Sequence, residues 1–555
     1  MAEDPGSGYR PDEAASTDAN DIANAAVAVL GSIEPGDSAR LGRVEAAVNA
    51  LVMARRLDEA VDLLRATDAG AEMPSDVAAR LQVTLSSILI IRGEAAAAVT
   101  IADALMATAG LPSQVYDEAA VVRLTGALGQ GEFATARERA EVVLAGAGRA
   151  SGDAALAGAL TALAALAWDE GRVASSLGFL RAAVRRSSGD PADARHLYPR
   201  LTLATILATL GEFDEAQDAM VTTIQQVATT GDGVWSAWVQ LACARIHLAS
   251  GNLDDAEAEC IVGLGLARDM GARVHVPLGE WILASIELMR GMLREAAQHV
   301  DRYKADLPAV SGAVSSATYA LTEARLADAR SGPAAAVPFL GAVYDDLAAH
   351  NLLLVVDPTA APFLVRNALD TGDHHRADAV VAHAQRMTDN NPGFASLAAA
   401  TAHARGLRDG DRVALTAAVT DHTHPWAQAS ALEDLGVVIA ASDRSAAEDH
   451  LVLSLAGYEQ IGAERDSERV RAKLHESQMA RRAPRRKRPL TGWASLSDTE
   501  RRVADLVGSG LTNAEVADRM FISRHTVDYH LRGIFRKLQI NSRVELARLV
   551  VERDS

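Results

Sequence analysis

The chain has 555 residues, 49% of them hydrophobic, and a formal net charge of −19. A chain so long and apolar buries several cores or one repeated core, which excludes a disordered protein. Only Cys243 and Cys260 are present, so a disulfide framework is excluded, a reducing cytoplasm is the natural compartment, and both thiols read as packing groups in apolar helical patterns.

The charge is divided unevenly. Residues 481–555 carry 16 Lys and Arg against 9 Asp and Glu, net +7, which leaves 38 against 64, net −26, for residues 1–480. The C-terminal part suits a polyanion and the body repels one.

Residues 1–20, "MAEDPGSGYRPDEAASTDAN", are acidic and polar, the composition of a disordered tail and not of a signal peptide. The apolar run "AALAGALTALAALAW" at 154–168 is too short and too rich in alanine to span a bilayer. No membrane association is expected.

Between residues 21 and 475 one short phrase recurs: "RRLDEA" from Arg55, "GEFATA" from Gly131, "GEFDEA" from Gly211, "GNLDDA" from Gly251, "GMLREA" from Gly291 and "GDHHRA" from Gly372. Weaker copies start at Gly93, Gly171, Gly332, Gly410 and Ser442, so eleven marks are separated by 32 to 41 residues. Each mark follows one amphipathic helical stretch and opens another. Glycine takes the left-handed conformation that ends the first helix, acids favour the start of the second, and the alanine five places on lets two helices approach closely. A hairpin of this kind buries its apolar stripe only against a neighbour.

The expected fold is all-α, an α-solenoid of about eleven hairpins of roughly 40 residues over 21–475. The phrase resembles the inter-helix turn of tetratricopeptide repeats, with HEAT-like packing as the alternative. Such a solenoid is expected to bind a small molecule or a partner protein along its concave face. Trp235, Trp238 and Trp281 could line a pocket, although aromatic plugs between hairpins are the plainer reading. His374, His375, His422 and His424 lack the spacing of a metal site and read as solvated loop histidines. No cofactor is expected.

Residues 476–493 form a basic linker with six Lys and Arg between 481 and 488. Three capping boxes follow, Ser497 with Glu500, Thr512 with Glu515 and Ser542 with Glu545, each marking a helix start. A further helix begins at Ser523 with Thr526 where the glutamate would stand, which leaves its N-terminal dipole bare for phosphate. Val527, Leu531, Ile534 and Leu538 form its core stripe. His525, Tyr529, Arg532 and Arg536 lie opposite, with Asp528 at the border. Four helices of this kind over 494–555, with a tight link between the second and third, make a helix-turn-helix.

The stretch "LSDTERRVADLVGSGLTNAEVADRMFISRHTVDYHLRGIFRKLQINSRVELARLV" resembles the DNA-binding domain of LuxR-type transcriptional regulators. The resemblance implies a tetrahelical domain that binds double-stranded DNA as a homodimer, with the third helix in the major groove. Base reading is expected from Asp528, Tyr529, Arg532 and His525. Phosphate contact is expected from Ser523, Arg524, Thr526, His530, Arg536, Lys537 and Thr512, with RNA polymerase as a further partner. Repeats followed by this domain also resemble the C-terminal part of the large ATP-binding LuxR regulators, but no G-x-x-x-x-G-K-[ST] occurs and no lysine precedes Lys304.

The expectation is therefore a bacterial, cytoplasmic, nucleoid-associated transcriptional regulator and not an enzyme. The runner-up is an adaptor whose helix-turn-helix docks protein. Asp528 is read as pairing with Arg532 four residues on, as accepting from a cytosine amino group, or as a simple complement to the helix dipole. The acidic body is further expected to lie against the basic C-terminal part as an autoinhibitor.

Overall fold

The computed structural model describes residues 13–31, 40–68, 75–146, 152–187, 197–230, 233–306, 313–476, 492–520 and 524–554. The basic stretch 481–488 and the first twelve residues lie outside them. Among the described residues the regular structure is helical, without a β-strand.

The turn chemistry builds the body. At Arg55, Gly93, Gly131, Gly171, Gly211, Gly251, Gly291, Gly332, Gly372 and Gly410 the backbone has positive φ, so ten of the eleven marks place a residue of positive φ between helices. The hydrogen bonds repeat too. Gly211 N donates to Ala208 O at 3.1 Å and Glu212 N to Leu207 O at 3.0 Å, closing the carbonyls that the preceding helix leaves open. The same pair of bonds recurs at Gly93, Gly131, Gly171, Gly251, Gly291 and Gly372. Five places after their marks, Ala60, Ala98, Ala136, Ala216, Ala256, Ala296, Ala377 and Ala447 are all buried. The result is a series of antiparallel hairpins of TPR-like turn geometry. Among the described residues a short helix Asn351–Val356 is added between Pro333–Asp345 and Ala360–Asp370.

The C-terminal hairpins pack back on the turns of earlier ones. Asn391 Nδ2 donates to Gly171 O at 2.8 Å, its Oδ1 accepts from Val173 N at 2.8 Å, and His424 Nε2 reaches Ala208 O at 3.2 Å. At Gly211 an added Cβ would fall 1.8 Å from Thr423 Oγ1, on top of a φ of +81°. Gly410, left-handed at φ +63°, has no atom within 4 Å of the same position. Gly410→Ala should therefore cost about 1 kcal/mol of backbone strain, and Gly211→Ala should cost more through the added clash. Equal shifts in urea midpoint for the two variants would refute this packing.

Two expectations need correction. A helix, Glu13–Gly31, begins inside the stretch read as a disordered tail, because "EAASTDAN" is alanine-rich enough to continue into the apolar helix after it. His422 and His424 are buried, not solvated. Thr423 and His424 lie against the Gly211 turn and Pro425, which starts the next helix, against the Gly251 turn, so the loop that holds them lies inside the molecule. His374 and His375 are exposed, but they open the helix His374–Asn390 and do not lie in a loop. Both cysteines are free and buried, and Cys260 Sγ lies 3.2 Å from Gly279 O. No metal-binding group of residues occurs among the described residues, and none of their helices is long and apolar enough to cross a membrane.

Candidate nucleic-acid interface

Residues 492–554 have a core of their own. Leu496, Val503, Val507, Val516, Val527, Leu531, Ile534, Leu546 and Val550 are buried together, with Leu538 and Trp493 packed against them. Four helices, Asp498–Gly508, Asn513–Met520, Arg524–Leu538 and Arg543–Asp554, supply all of these but Trp493 and Leu496, which lie in and after the turn Trp493–Ser495.

The helix starts are held as their sequences dictate. Glu500 N donates to Ser497 Oγ at 3.1 Å and Ser497 N to Glu500 Oε2 at 2.7 Å, a complete capping box. Thr512 and Glu515 repeat it at 3.3 and 2.7 Å. At the fourth helix Glu545 N donates to Ser542 Oγ, but the Glu545 carboxylate takes the Asn541 N–H instead.

The third helix buries Val527, Leu531 and Ile534 on one side. Arg524, Arg532 and Arg536 are exposed. Among the described residues no carboxylate forms an ion pair with Arg532 or Arg536. Lys537 is different, since its Nζ lies 2.7 Å from both oxygens of Glu500, which therefore caps one helix and anchors the end of another. Asp528 does not pair with Arg532. Its carboxylate accepts from the Asn513 side-chain amide, whose oxygen in turn accepts from Arg543. Three helices are thereby tied together by side chains. Ser523 and the side chain of His525 lie outside the described residues.

The remaining predicted contacts meet the body of the same chain. Thr526 Oγ1 donates to Glu259 Oε1 at 3.0 Å, Tyr529 OH to Glu257 Oε2 at 2.6 Å, and His530 Nε2 lies 3.1 Å from Asp255 Oδ1. All three acids belong to the helix Leu253–Asp269 that follows the Gly251 mark. Arg290, at the end of the next helix, steadies them, with Nη1 2.7 Å from Glu257 and Nη2 2.9 Å from Asp254. Thr526, His530 and Glu259 are buried at this contact. Burial and the Glu257 charge push the Tyr529 hydroxyl far above its ordinary range. Burial would raise Asp255, but the His530 hydrogen bond and the neighbouring His247 and His530 charges hold it below the usual carboxylate value.

The acidic partners were missed by sequence reading, although "DDAEAE" at 254–259 was their signal. Those acids read as ordinary dipole complements at a helix start.

The tryptophans do not share one pocket. Trp235 and Trp238 pair at 5.8 Å between ring centroids and pack on one core. Trp281 packs on another, with the Arg245 guanidinium 5.1 Å from its ring. A cavity of about 270 Å³ opens elsewhere, beside Arg325, Phe363, Arg366, Trp426, Arg465 and Arg469. Arg325 is held by Asp357 at 2.6 Å, Arg366 by Asp434, and Arg469 by Glu433 at 2.6 Å. Arg465 is held more loosely, 3.7 Å from Asp328.

A self-contained tetrahelical unit with a short link into an arginine-bearing third helix is a helix-turn-helix domain. Residues 494–550 match the family described as bacterial regulatory proteins, luxR family, so the C-terminal domain is of the LuxR type. HTH-type transcriptional regulators of Mycobacterium bovis and Mycobacterium tuberculosis are 47% identical over 70 residues. That stretch is 13% of this chain and 8% of theirs, so the chain matches only a small part of their length. The DNA-binding transcriptional activator DevR/DosR of M. tuberculosis is 36% identical over 72 residues, 13% of this chain and 32% of its own. Among solved structures, a Rap protein complexed with Competence and Sporulation Factor is similar at a TM-score of 0.41 and 13% identity, over 65% of this chain and all of the other.

Proposed function

We propose that this protein is a sequence-specific, DNA-binding transcriptional regulator that works in the cytoplasm as a homodimer. The observation that carries this reading is the third helix of its LuxR-type domain, which buries Val527, Leu531 and Ile534 and exposes Arg524, Arg532 and Arg536. In the major groove, Arg532 reads a guanine edge, Tyr529, Asp528 and His525 contact neighbouring bases, and Arg536 and Arg524 grip phosphate. Ser523, Thr526, His530, Lys537 and Thr512 complete the backbone contacts, with Lys537 first leaving Glu500. RNA polymerase is a further partner. The solenoid controls this domain in response to a small molecule or partner protein. The cavity beside Arg465 supports a small-molecule signal, because that guanidinium is the least tightly paired cation around it.

Selection of bound duplexes from a random pool by the full chain tests the reading. Recovery of a common sequence supports it, and recovery of none at low salt refutes it. Against the selected duplex, Arg532→Ala should cost about 1–3 kcal/mol and relax one position. A loss equal on every sequence would instead make Arg532 a phosphate contact.

A further inference from the structure

The helix Leu253–Asp269 presents four carboxylates, Asp254, Asp255, Glu257 and Glu259, within six residues. Acids at a helix start ordinarily face water and need only complement its dipole. Here three of them accept from, or pair with, Thr526, Tyr529 and His530, side chains that the DNA-binding reading assigns to duplex. A carboxylate oxygen offers the same acceptor chemistry as a phosphodiester oxygen, and the row supplies negative charge along one flank of the reading helix.

We infer that this acidic row is a docking surface for the chain's own reading helix, a stand-in for DNA phosphates that keeps the domain from duplex. The inference rests on the DNA-binding reading above and deepens it. Duplex cannot reach Thr526 and His530 while they are buried against Glu259 and Asp255. Arg532 and Arg536, on the other flank, remain exposed, so the docked domain keeps a weak grip on polyanions but loses the full interface. Arg290 holds Glu257 and Asp254 from the adjacent helix, so the row is a built surface and not a set of independent side chains. Binding to DNA and binding to the row are mutually exclusive. The apparent affinity for duplex is then the intrinsic one reduced by the fraction of undocked chain.

The test uses the full chain. Asp255→Asn/Glu257→Gln/Glu259→Gln removes three charges from the row with little change in shape. Glu212→Gln/Asp214→Asn/Asp218→Asn removes three exposed charges at the equivalent place on the hairpin before it, as a control for general repulsion. Affinity for the duplex recovered with the wild-type chain is measured for each, together with amide hydrogen exchange over 524–538. We expect the row variant to bind about tenfold or more tightly and to exchange faster over that helix. The control should stay within about threefold of wild type. Glu257→Ala, at a half-buried position, is the second variant should the triple one fold poorly, and it should move both readouts in the same direction.

Equal affinities for the row variant and the control overturn the inference and leave the regulator reading standing. Unchanged exchange over 524–538 overturns it as well. Faster exchange with no duplex bound by any of these proteins overturns the regulator reading itself.

Discussion

Ile534→Ala is expected to unfold the C-terminal domain while the solenoid stays folded. Ile534 is fully buried at the centre of a core drawn only from residues 496–550. Deleting its outer carbons removes burial and leaves a cavity, at a cost of about 2–5 kcal/mol. A domain of this size holds only about 3–9 kcal/mol in total, so the loss is a large part of its stability. Duplex binding should fall together with protection of the 496–550 region from proteolysis. The helical signal of the body and its main melting transition should persist. Ile534→Val, costing about 1 kcal/mol, should retain binding. If the alanine variant melted the whole chain in one step, the two parts would be shown to fold as one unit.

Acidification from pH 7 to 5 is expected to weaken the solenoid through its buried histidines. Burial lowers His424 to about 4 and puts His422 well below its ordinary value, where the nearby His403 adds to the effect. The sign follows from which state takes the proton. Between the ordinary histidine value of about 6.5 and the folded value, the unfolded chain binds protons that the native one refuses, so stability falls as pH falls through that window. For His424 alone the loss at pH 5 is about 2 kcal/mol. Below it a second window opens. There the carboxylate of Glu433, which burial would raise but Arg469 and Lys473 hold down to about 2, begins to lose its ion pairs. His424→Asn should remove about 2 kcal/mol of the pH 7 to 5 difference measured by urea unfolding. A slope unchanged by that substitution would show that His424 is not buried in its neutral form.

What could be read from residues alone follows a physical boundary. The ruler of marks was legible because a left-handed turn needs glycine and a close helix approach needs alanine, and both requirements are met within six residues. The core stripe of the reading helix was legible for the same reason, since Val527, Leu531 and Ile534 are set by helical periodicity. Asp528 was not. A local rule pairs it with Arg532, but its partner Asn513 stands on a different helix, fifteen residues earlier. His422 and His424 looked like loop residues because nothing near them announces a turn some 210 residues away that covers them. The acidic row was visible as composition, but its partner was not, because periodicity reports which face of a helix is polar and never what that face meets. The set expected to contact DNA is thus split by tertiary contacts: Arg532 and Arg536 stay open, Tyr529, Thr526 and His530 meet acids of the body, and Lys537 and Asp528 are engaged within their own domain.

The amide of Asn513 has a consequence of its own. It gives a hydrogen to Asp528 on one side and takes one from Arg543 on the other, so the relay has a direction that only an amide of that reach can support. An aspartate there would satisfy Arg543 and repel Asp528, and a lysine would do the reverse. The orientation of the Asp528 carboxylate is thus set, through Asn513, by Arg543 on the last helix. A change at Arg543 would reorient Asp528 without touching the third helix.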